Sequence, residues 1–204
     1  MSDAPQRVTD HQAGSHRDNT SDAALIRQSV GEPDCFARLF DRHASAIYRY
    51  VARRLGPDAA DDLASEVFLI AFQHRGRYDQ AQPDARPWLY GIATNLISRR
   101  RRDEVRFFRA LARVAEHPAA EPLADRVTQR VDAQAVSSRL AAALASLPGT
   151  HRDTLLLIAS GLSQQEAARA LAVPTGTVAS RLARARAKLR AVLTADDLAL
   201  VKGE

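Results

Sequence analysis

Two blocks of arginine are the residues best suited to chemistry in this 204-residue chain. Residues 99–113 hold seven arginines beside two acids, and residues 181–190 hold five basic residues and no acid. Guanidinium groups can grip phosphate oxygens bidentately. Clustered arginines in a chain of net charge +5 therefore indicate a polyanionic partner, most often nucleic acid. The preference for Arg over Lys carries no weight, because an Ala- and Arg-rich chain can reflect coding bias.

Patterns typical of enzymes and metal sites are missing from the sequence. It has no Gly-rich phosphate loop, no nucleophile elbow and no convincing pair of catalytic carboxylates. Cys35 lies near a helix start, which can activate a thiol, but an inert buried cysteine is the favoured interpretation. We expect no catalysis, no metal and no cofactor. None of the six histidines has metal-ligand spacing: His11, His16, His43, His74, His117 and His151.

Composition limits the class of protein. Hydrophobic residues make up 46% of the chain and charged residues 26%, which favours a packed core over disorder. No apolar run approaches the roughly 18 residues that cross a bilayer, so membrane insertion is not expected. A single cysteine excludes an intrachain disulfide framework. We expect a cytoplasmic protein.

Apolar residues recur at three- and four-residue steps from Ser21 onward, and no stretch alternates as a strand does. The pattern predicts an all-α protein of two small helical domains joined by a flexible linker. The first domain spans residues 21–113 and the second 135–194. Residues 114–134, with Pro118 and Pro122, form the predicted linker, although 125–136 could be partly helical. Residues 1–20 and 195–204 are predicted tails.

The strongest local signal lies at residues 163–188. Ser163 with Glu166 forms a capping box before a short helix, Ala172–Pro174 makes a tight turn, and a second helix begins at Thr175. This arrangement predicts a helix-turn-helix, whose second helix enters the major groove of DNA. An apolar stripe on that helix faces inward: Val178, Leu182, Ala185 and Leu189. A basic, solvated helix of an ordinary bundle is the alternative.

The sequence resembles a known family on both sides of the linker. The string LPGTHRDTLLLIASGLSQQEAARALAVPTGTVASRLARARAKLR is similar to region 4 of extracytoplasmic-function sigma factors of the sigma-70 family. The upstream strings FARLFDRHASAIYRYV, DDLASEVFLIAF and RPWLYGIATNLISRRRR are similar to region 2, in the expected order. The resemblance implies a subunit that binds core RNA polymerase and directs it to promoter DNA. It also implies an anti-sigma factor as a regulatory partner.

The resemblance assigns candidate residues to three surfaces. For the minus-thirty-five element they are Thr177, Ser180, Arg181, Arg184 and Lys188, with Arg181 or Arg184 able to take a guanine. For the minus-ten element they are Tyr78, Asp79, Asn95, Arg99 and Arg100, while Trp88 is either a stacking platform or core. For the polymerase they are Asp62, Ser65, Glu66 and Leu69, which could otherwise be a solvated acidic face. Ala179, Ala183 and Ser65 depart from residues common in the family.

Two other functions fit part of this pattern. A free-standing helix-turn-helix regulator would use residues 21–113 as a sensory or dimerising domain. A helical interaction protein would have no nucleic-acid role. Dependence of DNA binding on polymerase separates the sigma-factor hypothesis from both alternatives.

Overall fold

A computed structural model describes residues 20–114 and 127–193, with side chains over 20–113 and 136–193. Within these ranges the regular structure is α-helical apart from three short 3-10 turns, and no strand occurs there. The predicted all-α class is confirmed. The helices are α1 Asp22–Gly31, α2 Phe36–Leu55, α3 Ala60–His74, α4 Arg86–Arg99, α5 Arg101–Val114, α6 Val127–Ser146, α7 Gly149–Ala159, α8 Gln164–Leu171 and α9 Thr175–Val192.

Local residue chemistry explains where the helices begin and end. The Ser21 hydroxyl accepts a hydrogen bond from the Ala24 amide at 3.2 Å and caps α1. Gly56 and Gly161, each with φ of 89°, follow α2 and α7, where the chain needs the left-handed region that glycine enters without steric cost. Proline then occupies position 57, at the start of the next turn.

Helices α1 to α5 form the first module. Its core is built from fully buried aliphatic side chains, among them Leu39, Leu63 and Leu89. Two aromatic pairs join α2 to α3: Phe36 with Phe72 and Phe40 with Phe68, at centroid distances of 5.3 and 4.8 Å. The three- and four-residue spacing of apolar residues in α2 includes Phe40, but 44% of this residue is exposed, and its ring packs edge-on against Phe68.

Helices α6 to α9 form the second module. Helix α6 begins at Val127, so the described part of the predicted linker is helical from that residue onward. Residues 1–19, 115–126 and 194–204, which include most of the predicted tails and the rest of the linker, lie outside the described residues.

The two modules pack against each other. Leu157, Leu162 and Val178 of the second module belong to the same buried apolar cluster as the core of the first. A second cluster joins Phe108 of α5 to Leu144, Leu147 and Ala185. Each of the two buried apolar clusters thus contains residues of both modules, which the division into two sequence units did not predict.

Candidate nucleic-acid and polymerase interfaces

Helices α8 and α9 form the helix-turn-helix predicted from the sequence. The Ser163 hydroxyl accepts from the Glu166 amide at 3.2 Å, and the Glu166 carboxylate accepts from the Ser163 amide at 2.6 Å. The capping box is thus complete. Hydrogen bonding by Ser163, chiefly by its backbone amide, lowers the pKa of the Glu166 carboxyl. Ala172 ends α8 at φ of 52°, a left-handed conformation that turns the chain into α9.

Helix α9 divides into an inward and an outward face. Val178, Leu182 and Ala185 are buried, as the apolar stripe predicted, and Leu189 is half-buried. The candidate DNA contacts Ser180, Arg184 and Lys188 are exposed, while Thr177 and Arg181 are half-buried. A helix anchored by one face can present the other to a DNA groove.

Two of these candidates already have partners within the chain. The Lys188 ammonium group donates to the Ser146 carbonyl at 2.6 Å, which anchors the end of α9 to the end of α6. The Ser180 hydroxyl donates to the Thr177 carbonyl at 3.0 Å. Contact of either side chain with DNA requires it to exchange or share these bonds.

The loop between α3 and α4 is held in shape by its own polar groups. The Tyr78 hydroxyl donates to the carbonyls of Gln82 and Asp84, at 2.8 and 3.1 Å. The Asp79 carboxylate accepts from the Ala81 amide at 3.0 Å. Burial raises the pKa of Tyr78 to about 12, helped by Asp22, Asp84 and Asp79, so this residue stays a neutral donor at physiological pH.

A cavity of about 370 Å³ opens beside this loop. Trp88 of α4 packs on Tyr78 with ring centroids 4.9 Å apart. Trp88 is half-buried against the core and also lines the cavity, so it has both a packed and an accessible part. The remaining lining residues include Asp79 and, from α8 of the other module, Arg169. Sequence reasoning missed Arg169 because it lies about ninety residues away in the chain.

The other minus-ten candidates lie further along the same helix. Asn95, Arg99 and Arg100 are exposed. They follow Trp88 by seven to twelve residues, which is about 10 to 18 Å of helix. The structure thus brings Tyr78 and Asp79 together at the cavity. It places Asn95 and Arg99 one turn apart on α4, and Arg100 at the C-cap of that helix.

The arginine block at residues 99–113 is divided by the end of α4. Arg100 caps α4, and α5 begins at Arg101. Arg101 turns inward and donates to Asp153 at 3.2 Å. Arg102, Arg106, Arg109 and Arg113 line a groove along α5.

The candidate polymerase contacts share helix α3. Asp62, Ser65 and Leu69 are exposed and Glu66 is half-buried. Leu69 is an apolar side chain that is 56% exposed. Acids around an exposed leucine suit a partner surface that combines an apolar spot with basic residues.

A buried charge cluster at the module boundary was not predicted from the sequence. Arg54 of α2 donates to Glu104 of α5 at 2.6 Å, to the Tyr50 hydroxyl at 2.6 Å, and to Asp153 of α7. Arg152 approaches Glu104 at 3.6 Å. Burial alone lowers the pKa of Arg54, but Tyr50, Glu104 and Asp153 outweigh it and raise that pKa. The Arg54 guanidinium is therefore charged in the core.

Asp22, His43 and Asp84 bring their ligand atoms within 4.8 Å of one another. Protein hydrogen bonds account for this grouping. Asp22 accepts from His43 at 2.7 Å, from Arg42 at 2.6 Å and from the Ala85 amide at 3.0 Å. Asp22 thereby ties α1 to the start of α4, next to the cavity loop, and we assign no ligand to this group.

Among the described helices, none is both long enough and apolar enough to cross a membrane.

Two family models match the chain. Sigma-70 region 2 matches residues 39–107, which carry the cavity loop and the acidic face of α3. Sigma-70 region 4 matches residues 137–189, which carry the helix-turn-helix.

Known proteins are similar over most of the chain. The ECF RNA polymerase sigma factor SigM of Mycobacterium tuberculosis (strain ATCC 25618 / H37Rv) is 36% identical over 190 residues, which is 87% of each chain. The solved structure of CnrH in complex with the cytosolic domain of CnrY has a TM-score of 0.59 at 26% identity, over 83% of this chain and 95% of that one. The sigma factor RpoE from Bartonella quintana, solved with the anti-sigma factor NepR, shares the fold with a TM-score of 0.52 at 24% identity, over 77% of this chain and 95% of that one.

Proposed function

Because this chain belongs to the extracytoplasmic-function (ECF) RNA polymerase sigma factors, we propose that it binds core RNA polymerase, recognises the minus-thirty-five and minus-ten elements of its promoters and helps to open the DNA. Sigma factors are initiation factors and not enzymes, in agreement with the sequence. The chain therefore acts by binding. Its specificity for promoters depends on which of its surfaces contact each part of the promoter DNA.

One observation carries the duplex-binding part of the proposal. Helix α9 buries Val178, Leu182 and Ala185 and exposes Arg184 and Ser180. Its basic side is thus free to enter a groove while its apolar side holds it to the protein. Either Arg184 or the half-buried Arg181 has the reach and the two parallel donors that guanine accepts in the major groove. The other polar residues on this face position the helix on phosphate.

The cavity beside the α3–α4 loop supports a role in strand opening. A protein that opens DNA without ATP must bind the unpaired strand more tightly than the duplex. A pocket for an extruded base, with cations for the backbone, provides that difference. The cavity, with Asp79 on its rim and Trp88 on its wall, receives the base in our proposal. Asn95, Arg99 and Arg100 then hold the strand along α4.

Helix α3 supplies the polymerase contact in this proposal. Asp62 and Glu66 steer the approach to a basic partner surface, and Leu69 buries its exposed side chain there. Ser65 lies on the same helix and adds a short polar contact.

We further propose that an anti-sigma factor regulates this chain and that both act in the cytoplasm, where the polymerase works. The similarity to CnrH, whose structure was solved with the cytosolic domain of CnrY, supports a protein partner.

Transcription by a reconstituted enzyme tests the function. Purified chain and core RNA polymerase are incubated with fragmented genomic DNA, and the transcripts are sequenced. We expect start sites that share two conserved elements and that vanish when the chain is left out. Sequence-specific, nanomolar binding of the chain to duplex DNA without polymerase would instead favour a free-standing regulator. If the chain forms no crosslink to promoter DNA in the presence of core polymerase, the result would favour a helical interaction protein with no nucleic-acid role.

A further inference from the structure

A second cavity, of about 510 Å³, is lined by α2, by α4 and by the residues at the end of α7. Its volume lies within the range of about 300–1,000 Å³ that is typical of sites for small molecules. None of its lining residues belongs to the candidate DNA or polymerase surfaces. Among the described residues that line it none is acidic, and four are arginines: Arg42, Arg49, Arg53 and Arg86. We call this cavity the arginine cleft.

Helical spacing explains why these arginines converge. Arg42, Arg49 and Arg53 are separated by seven and four residues, so they form one stripe along α2. Arg86 and Tyr90 are four residues apart and share a face of α4. The arginine cleft therefore takes its positive charge from two helix faces that meet there.

Two of the arginines have partners in the protein. Arg42 donates to the buried Asp22 carboxylate at 2.6 Å, which neutralises its charge. Arg86 donates to the Gly161 carbonyl at 2.9 Å and lies 4.0 Å from the Asp84 carboxylate. A carbonyl is neutral, and at 4.0 Å the acid is at the limit of an ion pair, so most of the charge of Arg86 is not compensated.

The other two arginines have no acidic partner in the part of the chain that the structure describes. Arg49 donates to the hydroxyl of Ser45, which is neutral. Arg53 is exposed and forms no ion pair with a described residue. Arg49, Arg53 and Arg86 thus make the arginine cleft strongly positive.

The Tyr90 hydroxyl adds a donor to this cleft. Tyr90 is 4% exposed, and its ring packs edge-on against Tyr50 at a centroid distance of 4.9 Å. Its hydroxyl has no hydrogen-bond partner within the described residues. Burial raises the pKa of Tyr90, although the charges of Arg86, Arg49 and Arg53 act in the opposite direction. The hydroxyl is therefore a neutral donor, held in place among three guanidinium groups.

We propose that the arginine cleft binds a small ligand that carries a diphosphate group. Guanidinium groups hold phosphate oxygens bidentately. One phosphate group carries about 1.5–2 negative charges near neutral pH, so two groups match the charges of Arg49, Arg53 and Arg86 better than one does. Tyr90 donates its hydroxyl proton in a hydrogen bond to one of the phosphate oxygens. The inference does not rest on the proposed function, because none of these residues is assigned to DNA or polymerase.

A nucleic-acid backbone is the other common source of phosphate, and the depth of the cleft argues against it. Arg49 and Arg53 are exposed, whereas Tyr90 is almost fully buried. The backbone of a duplex can reach exposed arginines. A small ligand with a free terminal phosphate can also reach the hydroxyl below them.

Isothermal titration calorimetry of the full chain tests the proposal at physiological salt and without Mg²⁺. The probes are inorganic pyrophosphate and GDP. Tyr90→Phe removes only the hydroxyl group, and Arg53→Gln removes an exposed charge, so both variants keep the core packing. Arg27→Gln is the matched control, because Arg27 is an exposed arginine of α1 that does not line the cleft.

We expect one saturable site per chain. Tyr90→Phe should weaken binding about tenfold, the scale of one hydrogen bond to a charged group, and Arg53→Gln should weaken it several-fold or more. Arg27→Gln should bind as the wild type does. Equal affinity for the two probes would identify the diphosphate group alone as the ligand, and tighter binding of GDP would identify a nucleoside diphosphate.

Two results of the titrations would overturn the proposal. One is a lack of saturable binding with both probes. The other is an equal loss in Arg53→Gln and Arg27→Gln, which would show that net charge alone attracts the anion.

Binding of promoter DNA in the presence of core polymerase separates the cleft from a backbone contact. We expect Tyr90→Phe and Arg53→Gln to leave this binding unchanged. If both variants weaken it and neither changes the binding of pyrophosphate or GDP, the cleft contacts the DNA backbone and the proposal is wrong. If the wild-type chain binds no promoter with core, the proposed function fails, whereas the calorimetric titrations still decide whether the cleft is a ligand site.

Discussion

Arg184 illustrates how much a single exposed side chain of α9 is expected to contribute. It projects from the face opposite the buried Val178 and Leu182. We expect Arg184→Ala to reduce transcription from promoters that need the minus-thirty-five element by the equivalent of about 1–3 kcal/mol, the discrimination of one bidentate guanine contact. Promoters that do not depend on that element should be little affected. Run-off transcription measures both.

Arg186→Ala is the control for this change. Arg186 is also exposed on α9, and its replacement by Ala removes the same charge. Arg186 follows Arg184 by two residues and therefore points to another side of the helix. Equal losses in the two variants would show that charge alone matters, and would contradict a specific contact by Arg184.

Glu66 tests the polymerase surface independently of DNA. It lies on α3 with the exposed Leu69 one turn away. We expect Glu66→Ala to weaken capture of core polymerase several-fold and to lower transcription from every promoter alike, because an interfacial charge pair guides association. A pull-down with purified core measures the change. Asp103→Ala, which removes an exposed acid on α5, should leave capture unchanged; unaltered capture by Glu66→Ala would exclude α3 as the contact.

Asp22 makes the first module sensitive to acid. Burial by itself raises its pKa, but hydrogen bonds from His43, the Ala85 amide and Arg42, with the charge of His43, hold that pKa at about 2. A carboxyl whose pKa is lowered in the folded state stabilises the fold fully when the pH is above its ordinary pKa of 3.8. This stabilisation is lost as the pH falls toward 2. We expect the free energy of unfolding to drop across this window. In Asp22→Asn, that part of the pH dependence should be lost in urea titrations.

At the scale of elements, the turn between α8 and α9 stores a small amount of strain. Ala172 is exposed and adopts φ of 52°, a conformation that costs an L-residue roughly 1–2 kcal/mol. We expect Ala172→Gly to stabilise the protein by up to about 1 kcal/mol, after allowing for the extra freedom of glycine in the unfolded chain. Thermal unfolding measures the change.

A glycine introduced within α9 is expected to have the opposite effect on stability. Ala183 is exposed within α9, where Gly costs about 1 kcal/mol relative to Ala. Ala183→Gly should therefore lower the melting temperature while Ala172→Gly raises it. Two changes in the same direction would mean that the turn is not strained.

The helix-turn-helix could be predicted because its determinants are local. Ser163 and Glu166 are three residues apart, and Pro174 directly precedes α9. The capping box and the start of α9 can therefore both be predicted from residues that are close together in the sequence. The inward stripe of α9 follows from the same periodicity. Phe40 fitted that periodicity equally well in α2 and still lies partly in solvent, because the width of a buried face depends on which helix covers it.

The charge cluster at the module boundary shows what sequence alone could not provide. Arg54 bonds to Glu104 and Asp153, which lie 50 and 99 residues away. Helical spacing from Tyr50 places Arg54 on the inward face of α2, unlike its exposed neighbour Arg53, but the sequence does not show which acids it meets. The position of Arg169 at the cavity could not be predicted for the same reason. Candidate residues on single helices could be grouped from the sequence, whereas the contacts between the two units depend on the tertiary arrangement.

At the scale of the whole molecule, the apolar clusters shared by both modules affect how the chain can be divided into fragments. Phe108 of α5 packs against Leu144 and Leu147, and Leu157 belongs to the cluster of the first half. Neither half covers its own apolar surface. Fragments 1–114 and 127–204, produced together as two polypeptides, should therefore co-elute as a one-to-one pair in size-exclusion chromatography.

Produced singly, each fragment should aggregate or bind a hydrophobic dye. Such a pair would give a split protein that reassembles through its own apolar contacts, and a transcription readout could then follow the joining of the halves in living cells.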